Sequence, residues 1–431
     1  MRNRLFLIAF FAFLLPIFAS GQNVKIVGKT NRPNTMVRLL AYDDMLTMWE
    51  TQLSETQSDK DGKFVVETTI NEITPVNVAV GLERVDFIIC PNGNYDIEIQ
   101  VADHDNDVSY FDQTQPALYF NSIDDGGFYT QHLAVMEFVD SFIYDNINKI
   151  VTRRNLSLLD TLDNQINRNF GEIKFKYTND YVKYRKASAT MTVNTKKTLS
   201  QYFDNQEVLY SQPAYMEVFL ELFKTDIADA DFLSRNPQLA ELISLNNIRK
   251  RFFSNACDKQ TALKAIEDIR KSSKYQKNQL VATHIANLIN DLTYDSDAPS
   301  FSLKDKKGNT VQLADYQNDM VLLQFVDRVS PLLEHEFSTL NELQKQWNDT
   351  IQVVTIATKE SFDDYVQLFD KQGYKWTLLN LGDKILLLEN YHVKMCPAYI
   401  ILKRRGRVGM APAPSPDHNL DIQVRRICRY L

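Results

Sequence analysis

Few side chains in this sequence have the type and spacing for chemistry, and Ser330 is the first of them. It lies in VLLQFVDRVSPLLEHE (321–336), where a short apolar run meets a turn and then the opening of a helix. A nucleophilic serine needs an adjacent base that a third group orients. His335, five residues on, falls on another face of the helix, while His392, just ahead of Met395-Cys396-Pro397, stays open as a partner. No G-x-S-x-G elbow surrounds Ser330. The ordinary expectation is therefore a serine that caps the helix.

Thiols are the second candidates. Cys90, Cys257, Cys396 and Cys428 are spread along the chain with no C-x-x-C pair and no zinc-ligand spacing. Spacing does not choose among their pairings, and buried free thiols are the expectation. Disulfide exchange needs an attacking thiolate and a second thiol that resolves the mixed disulfide. Cys396 alone sits beside Pro397 in a segment of interest. No sequence neighbour obviously lowers its pKa, so a small apolar filler is the expected role and a lone redox thiol the alternative.

Other chemistry-bearing residues read as ordinary. Asp103, Asp105 and Asp107 suggest a calcium loop, but Val108 and Thr114 stand where such a loop needs Gly and Glu. The stretch 103–114 reads as a solvated acidic linker. His284 falls near the apolar face of its helix and is expected to be a hydrogen-bonded core residue. Lys403, Arg404, Arg405 and Arg407 form a basic hairpin tip, expected to be a solvated turn. Neither a metal nor a cofactor is expected.

These residues need a scaffold of more than one part. A chain of 431 residues exceeds one ordinary core. Its 44% apolar and 24% charged composition is that of a folded protein. The net charge of −7 gives no electrostatic footprint for nucleic acid. Arg2 and Arg4, the apolar run Leu5 to Phe18, and Ala19-Ser20-Gly21 before Gln22 read as a cleavable signal peptide over 1–21. The apolar run is short for a membrane span. The expected location is the periplasm or the outer face of the cell envelope, with no stable membrane span after cleavage.

Residues 22–112 carry short β-branched and aromatic runs, among them NVKIVG, MVRLLAY, KFVVETTI, VNVAVGL, VDFIIC and YDIEIQV. Turns at Ser58-Asp59-Lys60-Asp61-Gly62 and Pro91-Asn92-Gly93-Asn94 separate some of them. Together they predict an antiparallel β-sandwich. Residues 113–294 change to a helical period and predict an α-helical segment. Leu280, Ile285, Leu288, Ile289 and Leu292 share one face, Leu263, Ile266 and Ile269 follow a candidate cap at Asp258, and Val218, Phe219, Leu222 and Phe223 follow Pro213. From 297 to 431 strands and helices alternate, which predicts an α/β fold with some parallel strands.

The opening APSFSLKDKKGNTVQLADY of this last part resembles the thioredoxin-like superfamily, above all its exported cytochrome-maturation and peroxiredoxin-type group. Ala298, Pro299, Phe301, Leu303, Asp305, Gly308, Val311 and Leu313 carry the likeness, joined by Tyr391-His392-Val393 and Met395-Cys396-Pro397-Ala398-Tyr399. The resemblance implies a C-terminal thioredoxin-like fold and a cis peptide before Pro397, facing the active-site turn. The β and helical parts are more weakly similar to the N-terminal part of exported proteins of this group. In a thioredoxin register Ser330 and Leu333 replace the attacking and resolving cysteines. In a peroxiredoxin register Ser330 again replaces the nucleophile, and Asp327 stands where Thr is expected.

The expected function is a redox-inactive binding or scaffold module in the cell envelope, a binding protein in preference to an enzyme. Its binding residues are Val329, Ser330, Pro331, Cys396 and Pro397, and its partner is an extended peptide or an envelope protein. The alternatives are a thiol–disulfide oxidoreductase or isomerase working through Cys396 alone, and ligand binding by the N-terminal domains.

Overall fold

Alternate side chains of the first strand point inward. Val24, Ile26, Gly28 and Thr30 are buried between exposed Lys25, Val27 and Lys29, the period of two of a strand covered on one face. The computed structural model describes residues 22–81, 83–101, 116–347, 350–393 and 395–428. The segment 1–21, read above as a signal peptide, and the acidic stretch 103–114 lie outside them.

The first part contains β1 (Gln22–Thr30), β2 (Met36–Asp44), β3 (Trp49–Gln57), β4 (Lys63–Ile70), β5 (Thr74–Val80), β6 (Glu83–Ile89), β7 (Asn94–Gln100) and β8 (Ala117–Asp124). They form two four-stranded sheets, ordered β4-β1-β7-β8 and β3-β2-β5-β6. Val37, Leu39, Val78, Phe64 and Ile97 fill the space between them. All pairings are antiparallel except β1 with β7. That one departs from a wholly antiparallel sandwich because β4 occupies the other edge of β1 and β7 enters alongside in the same direction. At the first turn, Asp59 Oδ1 accepts the N–H groups of Asp61 and Lys63, each at 2.8 Å. Gly62 takes φ 77°, and a Cβ there would meet Thr30 O at 1.9 Å, so only glycine fits.

Strand β8 corrects the boundary at 112, since it lies in residues assigned above to the helical segment. It is an edge strand with only half-buried inward positions, which blurs its alternation. Beyond it run α1 (Phe128–Val151), α2 (Ser157–Phe170), α3 (Lys176–Met191), α4 (Thr195–Thr198), α5 (Pro213–Leu222), α6 (Ala230–Arg235), α7 (Pro237–Phe253), α8 (Lys259–Ser272) and α9 (Gln276–Asn290). Asp258 caps α8 by accepting the Thr261 N–H at 2.9 Å, and Pro213 opens α5, where its missing N–H costs nothing. Tyr215, Phe219, Leu242, Ile266 and Ile285 share the main helical core. In α9 the buried stripe is Val281, Ile285 and Ile289, while Leu280 is 42% exposed. The apolar face is turned away from Leu280 because α7 and α8 pack on the other side.

The last part contains β9 (Ser302–Asp305), β10 (Thr310–Gln312), β11 (Met320–Val326), α10 (Pro331–Trp347), β12 (Ile351–Ala357), α11 (Phe362–Gln372), β13 (Thr377–Asn380), α12 (Leu386–Asn390), β14 (Ala398–Lys403), β15 (Arg407–Ala413) and α13 (Leu420–Cys428). Its seven-stranded mixed sheet has the order β10-β9-β13-β12-β11-β14-β15. Strands β11, β12 and β13 are parallel. Every residue of β11 is buried, as expected for a central strand covered on both faces. Leu322, Phe337, Tyr365 and Ile401 make the core on one face, and Leu323, Phe325, Leu388 and Ile400 that on the other.

Two polar clamps tie the sandwich to the other parts. Arg38 on β2, 1% exposed, donates to Glu389 Oε2 on α12 at 2.6 Å. Arg84 donates to Glu389 Oε1 at 2.8 Å and also pairs with Glu50. On α9, buried His284 places Nδ1 2.8 Å from Asp44 Oδ2 at the end of β2 and stacks on Trp49 at 5.1 Å. Among the described residues, no helix is long and apolar enough to cross a membrane.

Candidate functional site

The register of β11 against β14 builds the site. Phe325 lies opposite Ala398 in that antiparallel pair, so the residues that leave β11, 327–330, emerge beside Cys396 and Pro397, which enter β14. The Cys396–Pro397 peptide is cis. Pro331 opens α10, and the Leu333 N–H donates to Ser330 Oγ at 3.3 Å. The Glu334 N–H donates to Ser330 O at 2.9 Å. Ser330 is thus the residue that caps α10. Val329 and Leu333 pack into the core on the α10 face, whereas Cys396 packs into the core on the opposite face. Pro331 and Leu332 are exposed.

The neighbours of Cys396 work against a reactive thiol. Burial, followed by the negative charge of Asp327, pushes the Cys396 thiol up to about 12. Such a thiol stays protonated at neutral pH and is a poor nucleophile. Asp327 is itself held by the Thr358 hydroxyl, which donates to Oδ1 at 2.8 Å. Tyr365 Oη donates to Arg328 O at 3.2 Å, tying α11 to the turn. Burial and Asp125 push Cys90 up to about 11, and burial raises Cys428. All four cysteines are free thiols. Sequence reasoning did not place Thr358 and Tyr365 here. Asp327 gave one signal, its departure from the peroxiredoxin pattern.

Among the described residues Ser330 has no histidine partner. His335 is exposed and its Nε2 lies 3.8 Å from Asp417 Oδ2. His392, left open above as the partner of Ser330, instead places Nε2 2.6 Å from Asp291 Oδ2 just beyond α9. The loop at 392, with φ 52°, directs it toward the helical part. The basic tip is also less free than its sequence suggests. Lys403 pairs with Asp295 and covers the Tyr294 ring at 4.2 Å, and Arg407 pairs with Asp297 at 2.7 Å. Among the described residues no group of His, Cys, Asp and Glu is arranged to hold a metal ion.

The role of Ser330 gives a modest expected effect. Ser330→Ala removes one capping acceptor and should cost about 1 kcal/mol in chemical denaturation, with α10 retained by circular dichroism. A loss several-fold larger would show that the serine does more than cap.

Residues 295–410 match the AhpC/TSA family. Comparison of the chain with curated proteins gives no match. Among solved structures, the thioredoxin domain of a thiol-disulfide oxidoreductase from Bacteroides vulgatus is 22% identical, covering 31% of this chain and 96% of that one with a TM-score of 0.29. A thiol:disulfide interchange protein from Chlorobium tepidum is 23% identical, covering 32% and 99%, with a TM-score of 0.29. A secreted disulfide oxidoreductase of Mycobacterium tuberculosis is 22% identical, covering 29% and 95%, with a TM-score of 0.25. Residues 295–410 are a thioredoxin-like domain of the AhpC/TSA family, and it follows an N-terminal β domain and a helical segment that the match does not cover.

Proposed function

We propose that this chain is an exported binding protein whose thioredoxin-like domain carries out no dithiol–disulfide exchange. One observation carries the reading: Ser330, at the start of α10, is engaged as a helix cap, with Leu333 buried one turn on. The position that would hold a nucleophilic thiol holds a hydroxyl, and the position of a resolving thiol holds core. The one thiol nearby, Cys396, is pushed up by burial and by Asp327, which speaks against a single-cysteine mechanism.

Binding needs no thiol. Leu332 and Met395 are large apolar side chains exposed by 63% and 39% on the two segments that meet at the end of β11 and β14. Such exposed apolar residues suit an extended peptide with apolar side chains. The charged and apolar order of residues 2–21 supports export.

Thiol labelling with mass mapping tests this reading. In the folded protein Cys90 and Cys396, whose thiols are pushed up by burial and by nearby carboxylates, should label at least tenfold more slowly than Cys257, just ahead of α8. The same spectra should show a mature chain beginning at Gln22 in the envelope fraction. Rapid labelling of Cys396 would favour a surviving single-thiol activity, and an unprocessed cytoplasmic chain would remove the export claim.

A further inference from the structure

A concave feature lies between the helical segment and the α/β part, apart from the 329–333 turn. It is a cavity of about 1130 Å³ walled by the α7–α8 junction, the end of α9, residues 391–393, the β14–β15 edge and α13. This is at or above the upper end of ordinary small-molecule sites, about 300–1,000 Å³. Its walls carry Phe252, Phe253, Leu288, Tyr391, Met410 and Pro412, and Phe253 is 53% exposed.

The charged groups in the wall divide by sign. Both acids are engaged: Asp258 accepts the Thr261 N–H and hydroxyl at 2.9 and 2.6 Å, and Asp291 lies 2.6 Å from His392 Nε2. Neither cation has a carboxylate partner among the described residues. Half-buried Lys259 donates to the neutral Thr293 hydroxyl at 3.2 Å. Arg426, exposed on α13, makes no ion pair among the described residues. Beside it, Gln423 Oε1 is shielded and has no donor.

The open edge of β15 also helps to choose the occupant. β15 is the last strand of its sheet, which ordinarily invites a peptide to add as a further strand. Here the register slips between Leu402↔Val408 and Ile401↔Met410, and Pro412 has no N–H to offer. Both features blunt an edge against strand addition. An apolar body that makes no backbone ladder fits better.

We infer that this cavity binds a single-chain amphiphile, its apolar chain against Phe252, Phe253 and Met410 and its carboxylate head toward Lys259 and Arg426. This inference is independent of the thiol question.

Calorimetry on the full mature protein with decanoate, kept below its micellar concentration, tests it. Saturable binding with one site per chain is expected, with no saturable binding of decyltrimethylammonium, which has the same chain and the opposite charge. Arg426→Glu should weaken decanoate about tenfold or more, and Phe253→Ser about threefold. Both positions are exposed, so folding should be kept, and circular dichroism checks it. Absence of saturable decanoate binding, equal binding of the two head groups, or unchanged affinity in Arg426→Glu would each overturn the inference. So would saturable binding of an extended apolar peptide without binding of decanoate.

Discussion

The double replacement Ser330→Cys with Leu333→Cys is expected to create a working disulfide reductase. The two positions are three residues apart at the start of α10, and side chains at that spacing face each other on a helix. An i,i+3 spacing at a helix start lies within the reach of a disulfide. A cysteine at 330 would lie against the unpaired N–H groups of the first turn, where the helix dipole favours a thiolate. A cysteine at 333 would be shielded, as Leu333 is now at 4% exposure. The cost is core volume: losing part of a buried leucine should lower stability by roughly 1–3 kcal/mol. The variant should accelerate dithiothreitol-driven insulin reduction at least tenfold over the wild type, and Ser330→Cys alone should yield only mixed disulfides. A folded double variant that neither forms its disulfide nor reduces insulin would show that more than two side chains separate this turn from an exchange site.

Cutting the clamp between the β sandwich and α12 should have the largest effect on stability. Glu389→Ala leaves Arg38, 1% exposed, with the Gly81 carbonyl at 3.4 Å as its remaining partner within the clamp. Removing one partner of a buried ion pair costs roughly 3–5 kcal/mol, because the other charge stays buried without compensation. The low end applies here, since Glu389 is partly exposed and Arg84 keeps Glu50. The paired change Arg38→Met with Glu389→Leu should lose much less. Denaturant midpoints of the three proteins decide this.

The clamp also predicts a pH dependence. Burial alone would raise Glu389, but the hydrogen bond and charge of Arg38, with those of Arg84, outweigh it and hold Glu389 below its ordinary value. A carboxylate depressed in the folded state stabilises above its unfolded pKa, and that contribution is lost as pH falls through the folded one. Asp86 works the other way, raised by burial and by Glu50. Wild type compared with Glu389→Gln isolates the clamp, and the difference in stability should shrink as pH falls below about 4. A difference that stays constant from pH 7 to pH 3 would contradict this.

Much of the fold was legible where one face of an element carries the apolar signal. Strands β1 and β4 alternate cleanly, and α5 and α8 announce themselves by Pro213 and Asp258. Strand β3, WETQLSETQ, gave no such signal, because it is an edge strand without a buried position and its pairing is carried by the backbone against β2. The turn at 329–333 could be read because its residues are contiguous. The environment of Cys396 could not. Asp327 and Thr358 are 31 residues apart, and Arg38 and Glu389 are 351 apart, so only the tertiary fold shows which charges meet. His392 illustrates the same limit, since its carboxylate partner Asp291 lies 101 residues away.

Whether the domain exchanges disulfides is settled by insulin reduction with the purified wild-type protein in dithiothreitol. The expected result is precipitation of insulin at the rate of dithiothreitol alone, unchanged in Cys396→Ser. Catalysed reduction that disappears in Cys396→Ser would contradict the proposed function and restore thiol chemistry to the end of β14.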